Sequence, residues 1–146
     1  MQYDCAMTRV DFYFNAGDKA EVARKLAAKA YQAGQRALIF TADEAVANEL
    51  DVGLWTAQQL SFIPHVLSGH PRAAETPILI GASDEAMAAR DVLINLDDAW
   101  PPPFSRFERL IEIVTRDEAD REKARERYRF YQERGYPLHK VDLERK

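Results

Sequence analysis

Three short segments, Arg36-Ala37-Leu38-Ile39-Phe40-Thr41, Pro77-Ile78-Leu79-Ile80 and Asp91-Val92-Leu93-Ile94-Asn95-Leu96, are almost wholly apolar and too short to be helices. A strand that faces solvent on one side alternates apolar with polar residues, and these do not. Near-continuous apolar runs of this length suit strands covered on both faces, the condition of a parallel sheet sandwiched between helices. The flanking sequence agrees. Thr8-Arg9-Val10-Asp11-Phe12-Tyr13-Phe14 is β-branched and aromatic and stops at Asn15-Ala16-Gly17, which predicts a first strand.

Asp18 is a fitting N-cap for a helix whose apolar stripe runs through Val22, Leu26 and Tyr31 to a stop at Gly34. A second helix is predicted from Asp43 to Leu54, with Val46, Leu50 and Leu54 on one face. Strand, helix, strand, helix in this order is a βαβα unit with right-handed crossovers. The expected fold is therefore α/β: a single-domain, open, mostly parallel sheet with helices on both faces, Rossmann-like in outline but without a nucleotide fingerprint.

Beyond Leu54 the pattern loosens. Trp55 to Gly69 reads as a turn of helix and then loop, His70 to Thr76 as loop, and Ser83 to Arg90 is too short for a long crossover helix. Pro101-Pro102-Pro103 marks a rigid break within the domain. Phe107 to Val114 carries apolar residues at 110, 111, 113 and 114, and periodicity leaves strand and helix both open. Asp117 caps a long charged helix that runs to Arg134 and stops at Gly135 and Pro137. The segment Leu138 to Leu143 alternates enough to be a final edge strand.

At 146 residues the chain is expected to form one domain spanning 8–146, with residues 1–7 as a loose N-terminal extension. The formal net charge of −4 withholds the broad positive field that drives non-specific DNA binding, so any action on DNA is expected to pass through another protein. The single cysteine, Cys5, has no partner for an internal disulfide, and the apolar runs are far short of a membrane span. A cytoplasmic protein without membrane contact is the expectation.

Catalytic and cofactor signatures are sparse. The first strand–helix turn, Asn15-Ala16-Gly17-Asp18, has one glycine and an acid where a dinucleotide site needs closely spaced glycines, and no Gly-Lys-Ser/Thr of a P-loop occurs. Asp117-Glu118-Ala119-Asp120 spells a helicase motif, but with no P-loop upstream it reads as an acid-rich helix start favoured by the helix dipole. His65, His70 and His139 form no ligand pair, and Ser61, Ser68, Ser83 and Ser105 lie in no nucleophile elbow. No cofactor, no metal and no catalysis are expected. The alternative from another class is a small nucleotide- or metabolite-binding α/β enzyme.

Two groups of residues stand out. In Leu54-Trp55-Thr56-Ala57-Gln58-Gln59-Leu60-Ser61-Phe62-Ile63-Pro64-His65, two large aromatics and a proline sit where the regular pattern ends. They are either anchors for a protein partner or ordinary cover for the end of the sheet. In the last helix, Arg121, Arg125 and Arg129 recur every four residues as one basic column, with Tyr128 three after Arg125. Guanidinium forks beside a ring suit a peptide ending in an aromatic residue and a free carboxylate. The competing reading is a solvated face laced by Glu118, Glu122 and Glu126.

Three blocks taken in order, Val10-Asp11-Phe12-Tyr13, Leu54-Trp55 with Ser61-Phe62-Ile63-Pro64-His65, and Ala124-Arg125-Glu126-Arg127-Tyr128 followed by Gly135, resemble the chi subunit family of bacterial DNA polymerase III. The resemblance runs from about Thr8 onward. It implies a non-catalytic accessory subunit of the holoenzyme that bridges two proteins, touching DNA only indirectly. One partner is the psi subunit, which tethers chi to the clamp loader. The other is the acidic C-terminal tail of the single-stranded DNA-binding protein. By position, the resemblance places Trp55, Phe62, Pro64 and His65 at the psi contact. It places Val114, Arg121, Arg125 and Tyr128 at the tail contact. The family often has Lys where this chain has Arg121, which retains the charge.

Overall fold

The computed structural model describes residues 8–56, 65–67, 78–81, 91–97 and 107–144, the side chains of 51–56 and 65–67 excepted. Its elements follow in the order β1 (Arg9–Ala16), α1 (Lys19–Gln32), β2 (Ala37–Phe40), α2 (Glu44–Thr56), β3 (His65–Leu67), β4 (Ile78–Gly81), β5 (Val92–Asn95), β6 (Arg109–Thr115), α3 (Glu118–Glu133) and β7 (Leu138–Asp142). The strands form one sheet in the order β3-β4-β2-β5-β6-β1-β7. Every pairing in it is parallel.

That order follows from chain direction and handedness. From β1 the chain moves through β2 to the β3 edge, and from β3 it moves back through β4, β5 and β6 to β7. With right-handed crossovers, reversing the direction of travel puts the connecting helices on the opposite face. Accordingly α1 and α2 pack over one face, where Leu26, Ala27, Ala47 and Leu50 meet Ile39, Ile78, Ile80, Ile94, Ile111 and Ile113. The other face gathers Val10, Phe12, Leu38, Leu79, Leu93 and Leu110 beneath Ala124 and Tyr131 of α3. Alternation thus persists inside the apolar runs, Leu38 facing one core and Ile39 the other. Both sides are apolar, which is why the sequence reads as continuous.

The caps behave as their residue types require. The Asp18 carboxylate accepts from the Ala20 amide and the Asp117 carboxylate from the Asp120 amide, each filling an otherwise orphaned helix donor. At the far ends Gly34 and Gly135 take φ of 77° and 80°, and the Gln35 and Tyr136 amides close back onto Ala30 and Tyr131. This left-handed closure favours glycine.

Two expectations need correction. The stretch after Trp55 was expected to be helix turn and loop, yet His65–Leu67 is a strand that pairs with β4 from His65↔Ile78 onward. A three-residue edge strand gains its hydrogen bonds from a neighbour far along the chain, so local propensity carries almost no signal for it. The first strand also runs past its expected stop at Asn15 to Ala16. It does so through an irregularity opposite β6, with Asn15 in the left-handed region at φ 66°. The open choice at 107–114 resolves as strand β6, with Leu110, Glu112 and Val114 on the α3 side and Ile111 and Ile113 on the other. Expectations for 68–76, 82–90 and 101–103 lie outside the described residues.

A candidate peptide groove beside the last helix

The buried contacts of α3 decide what its exposed side can present. Ala124, Arg127 and Tyr131 form its inner face, Arg127 and Tyr131 at 1% and 0% exposure. Beneath them lies Glu112 of β6, fully buried. Its Oε1 accepts from Arg127 Nε at 3.0 Å and its Oε2 from the Tyr131 hydroxyl at 2.6 Å. The side-chain amide of Asn95, on β5, donates to both oxygens. Burial pushes the Glu112 carboxyl up, opposed by the Arg127 charge and by the donors from Tyr131, Asn95 and Arg127. The Tyr131 hydroxyl is pushed far up by burial and by the adjacent carboxylate. A cation, a hydroxyl and an amide converging on one carboxylate admit few alternative placements of the helix.

A second tether fixes the start of α3. Asp120 Oδ1 accepts from Lys19 Nζ at 2.9 Å, and Oδ2 accepts from the Thr115 amide and hydroxyl at 2.8 and 3.1 Å. Lys19 opens α1, so this contact joins helices from opposite faces over the carboxyl end of the sheet. Burial pushes the Asp120 carboxyl up, but the Thr115 and Lys19 donors outweigh it and hold the group below its ordinary value. Asp117 is therefore the cap of an acid-rich helix start, as expected, and Asp120 adds a tether that the sequence did not announce.

With α3 held this way, a groove of about 410 Å³ opens between its outer flank and the β1–β7 edge. Phe12, Phe14, Val114 and Ala124 make an apolar floor. Arg121, Arg125 and Arg129 line the helix side, and Lys140 of β7 faces them. Tyr128 stands between, its ring edge-on to Phe12 with centroids 5.2 Å apart and Lys140 Nζ 4.9 Å over its centroid. The ring is thereby held upright at the groove wall.

All four residues expected at the tail contact, Val114, Arg121, Arg125 and Tyr128, line this one groove. Among the described residues, Arg125 alone of the basic column pairs with a glutamate: Nη1 meets Glu118 Oε2 at 3.3 Å, both side chains more than half exposed. An ion pair so open to water is weak and exchangeable, so the acidic column does not lock the arginines. Phe12, Phe14 and Lys140 were not singled out from sequence. They reach the groove through parallel pairing, Phe12↔Lys140 and Phe14↔Asp142, which no local pattern announces.

The residues expected at the psi contact are placed differently. Trp55 lies in the last turn of α2 and His65 opens β3, at the sheet edge opposite β7. Phe62 and Pro64, and the side chains of Trp55 and His65, lie outside the described residues. Six inter-strand gaps separate the two edges, roughly 30 Å at ordinary strand spacing. Among the described residues no three His, Cys, Asp or Glu side chains are grouped to hold a metal, and no helix is long and apolar enough to cross a membrane.

Fold and site together define a doubly wound, all-parallel α/β domain with a cationic, apolar-floored groove at one sheet edge. Solved structures of similar shape include the C-terminal domain of the DEAD-box protein Dbp5, with a TM-score of 0.66, 14% identity, and coverage of 96% of this chain and 92% of that one. A structure of S. cerevisiae Dbp5 bound to Nup159, Gle1, IP6 and ADP matches with a TM-score of 0.68 at 13% identity, over 94% of this chain and 42% of that one. At such identities the likeness is one of fold alone. Sequence relatives are more specific. The family model described as DNA polymerase III chi subunit, HolC, matches residues 7–139. DNA polymerase III subunit chi of Pseudomonas aeruginosa is 40% identical over 136 residues, 90% of this chain and 94% of that protein. The Haemophilus influenzae and Escherichia coli subunits are 37% and 31% identical, covering 81% and 78% of this chain and 83% and 78% of their own lengths. The chain belongs to the DNA polymerase III chi subunit family, which gives it DNA replication as its setting.

Proposed function

We propose that the chain is a non-catalytic adaptor of the polymerase III holoenzyme, holding the acidic C-terminal tail of the single-stranded DNA-binding protein in the α3–β7 groove and the psi subunit at the opposite sheet edge. The observation that carries this reading is the convergence of Arg121, Arg125, Tyr128 and Val114 on one apolar-floored groove. Guanidinium forks take a terminal carboxylate through paired, charge-assisted hydrogen bonds, and the floor takes the preceding aromatic side chain. No bond is made or broken in such a contact.

For psi, the supporting features are the position of Trp55 and His65 at the β3 edge together with the family's pattern. Placing the contacts at opposite edges lets both partners bind at once, so psi anchors the chain while tails on a coated template are sampled at high local concentration. The tail contact is ionic and exposed, so salt weakens it more than an apolar psi contact. Work inside the cytoplasm belongs to the same reading.

The test is reciprocal. Arg125→Ala should weaken tail-peptide binding roughly 10–100-fold by calorimetry, the loss of a charge-assisted bond, while psi still co-purifies. Phe62→Ala should release psi and retain the peptide. Undiminished peptide affinity in the Arg125 variant would remove the groove assignment, and undiminished psi recovery in the Phe62 variant would remove the edge assignment.

A further inference from the structure

On the other side of β7 lies a second furrow, about 320 Å³, between that edge and α1. Its floor is apolar, with Val22 and Leu26 from α1 and Leu143 just past β7. Its cations are Lys25 and Lys29, one helical turn apart on α1, and Arg116 just past β6. Both lysines are exposed and neither enters an ion pair among the described residues. Arg116 pairs with Glu144 at 3.0 Å, both side chains more than half exposed, and so can exchange partners. Glu21 also lines the furrow. Nothing in the proposed tail contact uses any of these residues.

The two furrows are close neighbours. Both lie toward the carboxyl end of the sheet, one reached by Phe14 and Val114, the other by Asn15, Gly17 and Arg116. They lie on opposite faces of the sheet, back to back across β1, whose Phe12 and Phe14 line one and Tyr13 and Asn15 the other. Arg116 precedes the α3 cap by one residue, so a cation stands where a chain leaving the first groove would cross the carboxyl end of the sheet. A formal net charge of −4 opposes the long-range attraction of a polynucleotide. Isolated lysines above an apolar floor suit instead a peptide that mixes acidic and apolar side chains.

We infer that the α1–β7 furrow is a second seat for the same peptide, taking the acidic residues that precede its aromatic carboxyl end. The inference rests on the groove reading above. It makes the chain a reader of tail length as well as of the terminal carboxylate.

The experiment compares two synthetic peptides on the full chain, by fluorescence anisotropy at about 0.1 M salt. Both end in phenylalanine with a free carboxylate. One has about four residues, and the other about ten with several aspartates upstream. Two weak lysine–carboxylate contacts should make the longer peptide bind roughly tenfold tighter. Lys25→Gln with Lys29→Gln should erase that advantage while leaving the short peptide's affinity and the melting temperature unchanged. A length advantage that survives in the double variant overturns the second seat but spares the groove. A short peptide that fails to bind the unaltered chain overturns the groove and this inference together. Lysine-dependent retention of an oligothymidylate, with the peptide advantage intact, would overturn it in favour of a polynucleotide.

Discussion

Replacing Arg127 with methionine isolates the buried contact that seats α3. Arg127 and Glu112 are 1% and 0% exposed and meet at 3.0 Å. Methionine has much of the length and volume of the arginine stem, so the main change is the loss of a charge opposite a buried carboxylate. Breaking one side of such a pair costs about 3–5 kcal/mol, because the remaining charge is left in a medium of low dielectric. For a chain of this size that corresponds to a fall in melting temperature of roughly 10–15 °C.

The pH dependence adds a signature that simple packing loss lacks. Burial already pushes the Glu112 carboxyl above its ordinary value, and Arg127 opposes that push. Without the guanidinium the folded-state value rises further. Between the ordinary and the raised value the native state then holds a proton that the unfolded state has released, so stability falls as pH rises through that window and levels off above it. The variant should be markedly less destabilised at about pH 5 than at about pH 8, by urea denaturation, and Glu112→Gln in the same chain should flatten the difference. A cost below about 1 kcal/mol, or a cost independent of pH, would show that the ion pair does not seat the helix.

Asp120→Asn should cost about 2 kcal/mol through the weakened Lys19 and Thr115 contacts. Because the Asp120 carboxyl is held below its ordinary value, its contribution is full above the unfolded-state value. It is lost as pH falls through the folded-state value, and acid titration of the asparagine variant should lack that component. Gly135→Ala should cost roughly 1 kcal/mol. No atom stands within 4 Å of the added methyl, and the strain comes from φ of 80° alone, so thermal melting should show the loss with peptide affinity unchanged.

The legible parts of the fold were those with a local cause. Asp18, Gly34, Asp117 and Gly135 sit where caps and left-handed stops must be, and the apolar runs at 37–40, 78–80 and 92–95 mark strands covered on both faces. Strand order and β3 were not legible, because both depend on partners distant in the chain. The site divided along the same line. The column of Arg121, Arg125 and Arg129 with Tyr128 follows from helical spacing. The floor of Phe12 and Phe14 and the opposing Lys140 arise from the parallel register of β1 with β7. Glu112 was missed for a related reason: an acid within an apolar strand looks the same whether it meets water or, as here, an arginine, a tyrosine and an asparagine beneath a helix.

The pairing of β7 against β1 also has a consequence for biosynthesis. β1 leaves the ribosome more than a hundred residues ahead of β7, so one wall of the groove waits for residues 138–142. Translation delivers on the order of 5–20 residues per second, so for several seconds an emerging chain carries β1 without that wall. On the reading proposed above, peptide capture is therefore deferred until the sheet is closed at that edge. A polypeptide interrupted before residue 138 would lack that wall and, on the same proposal, would compete poorly for the peptide instead of sequestering it.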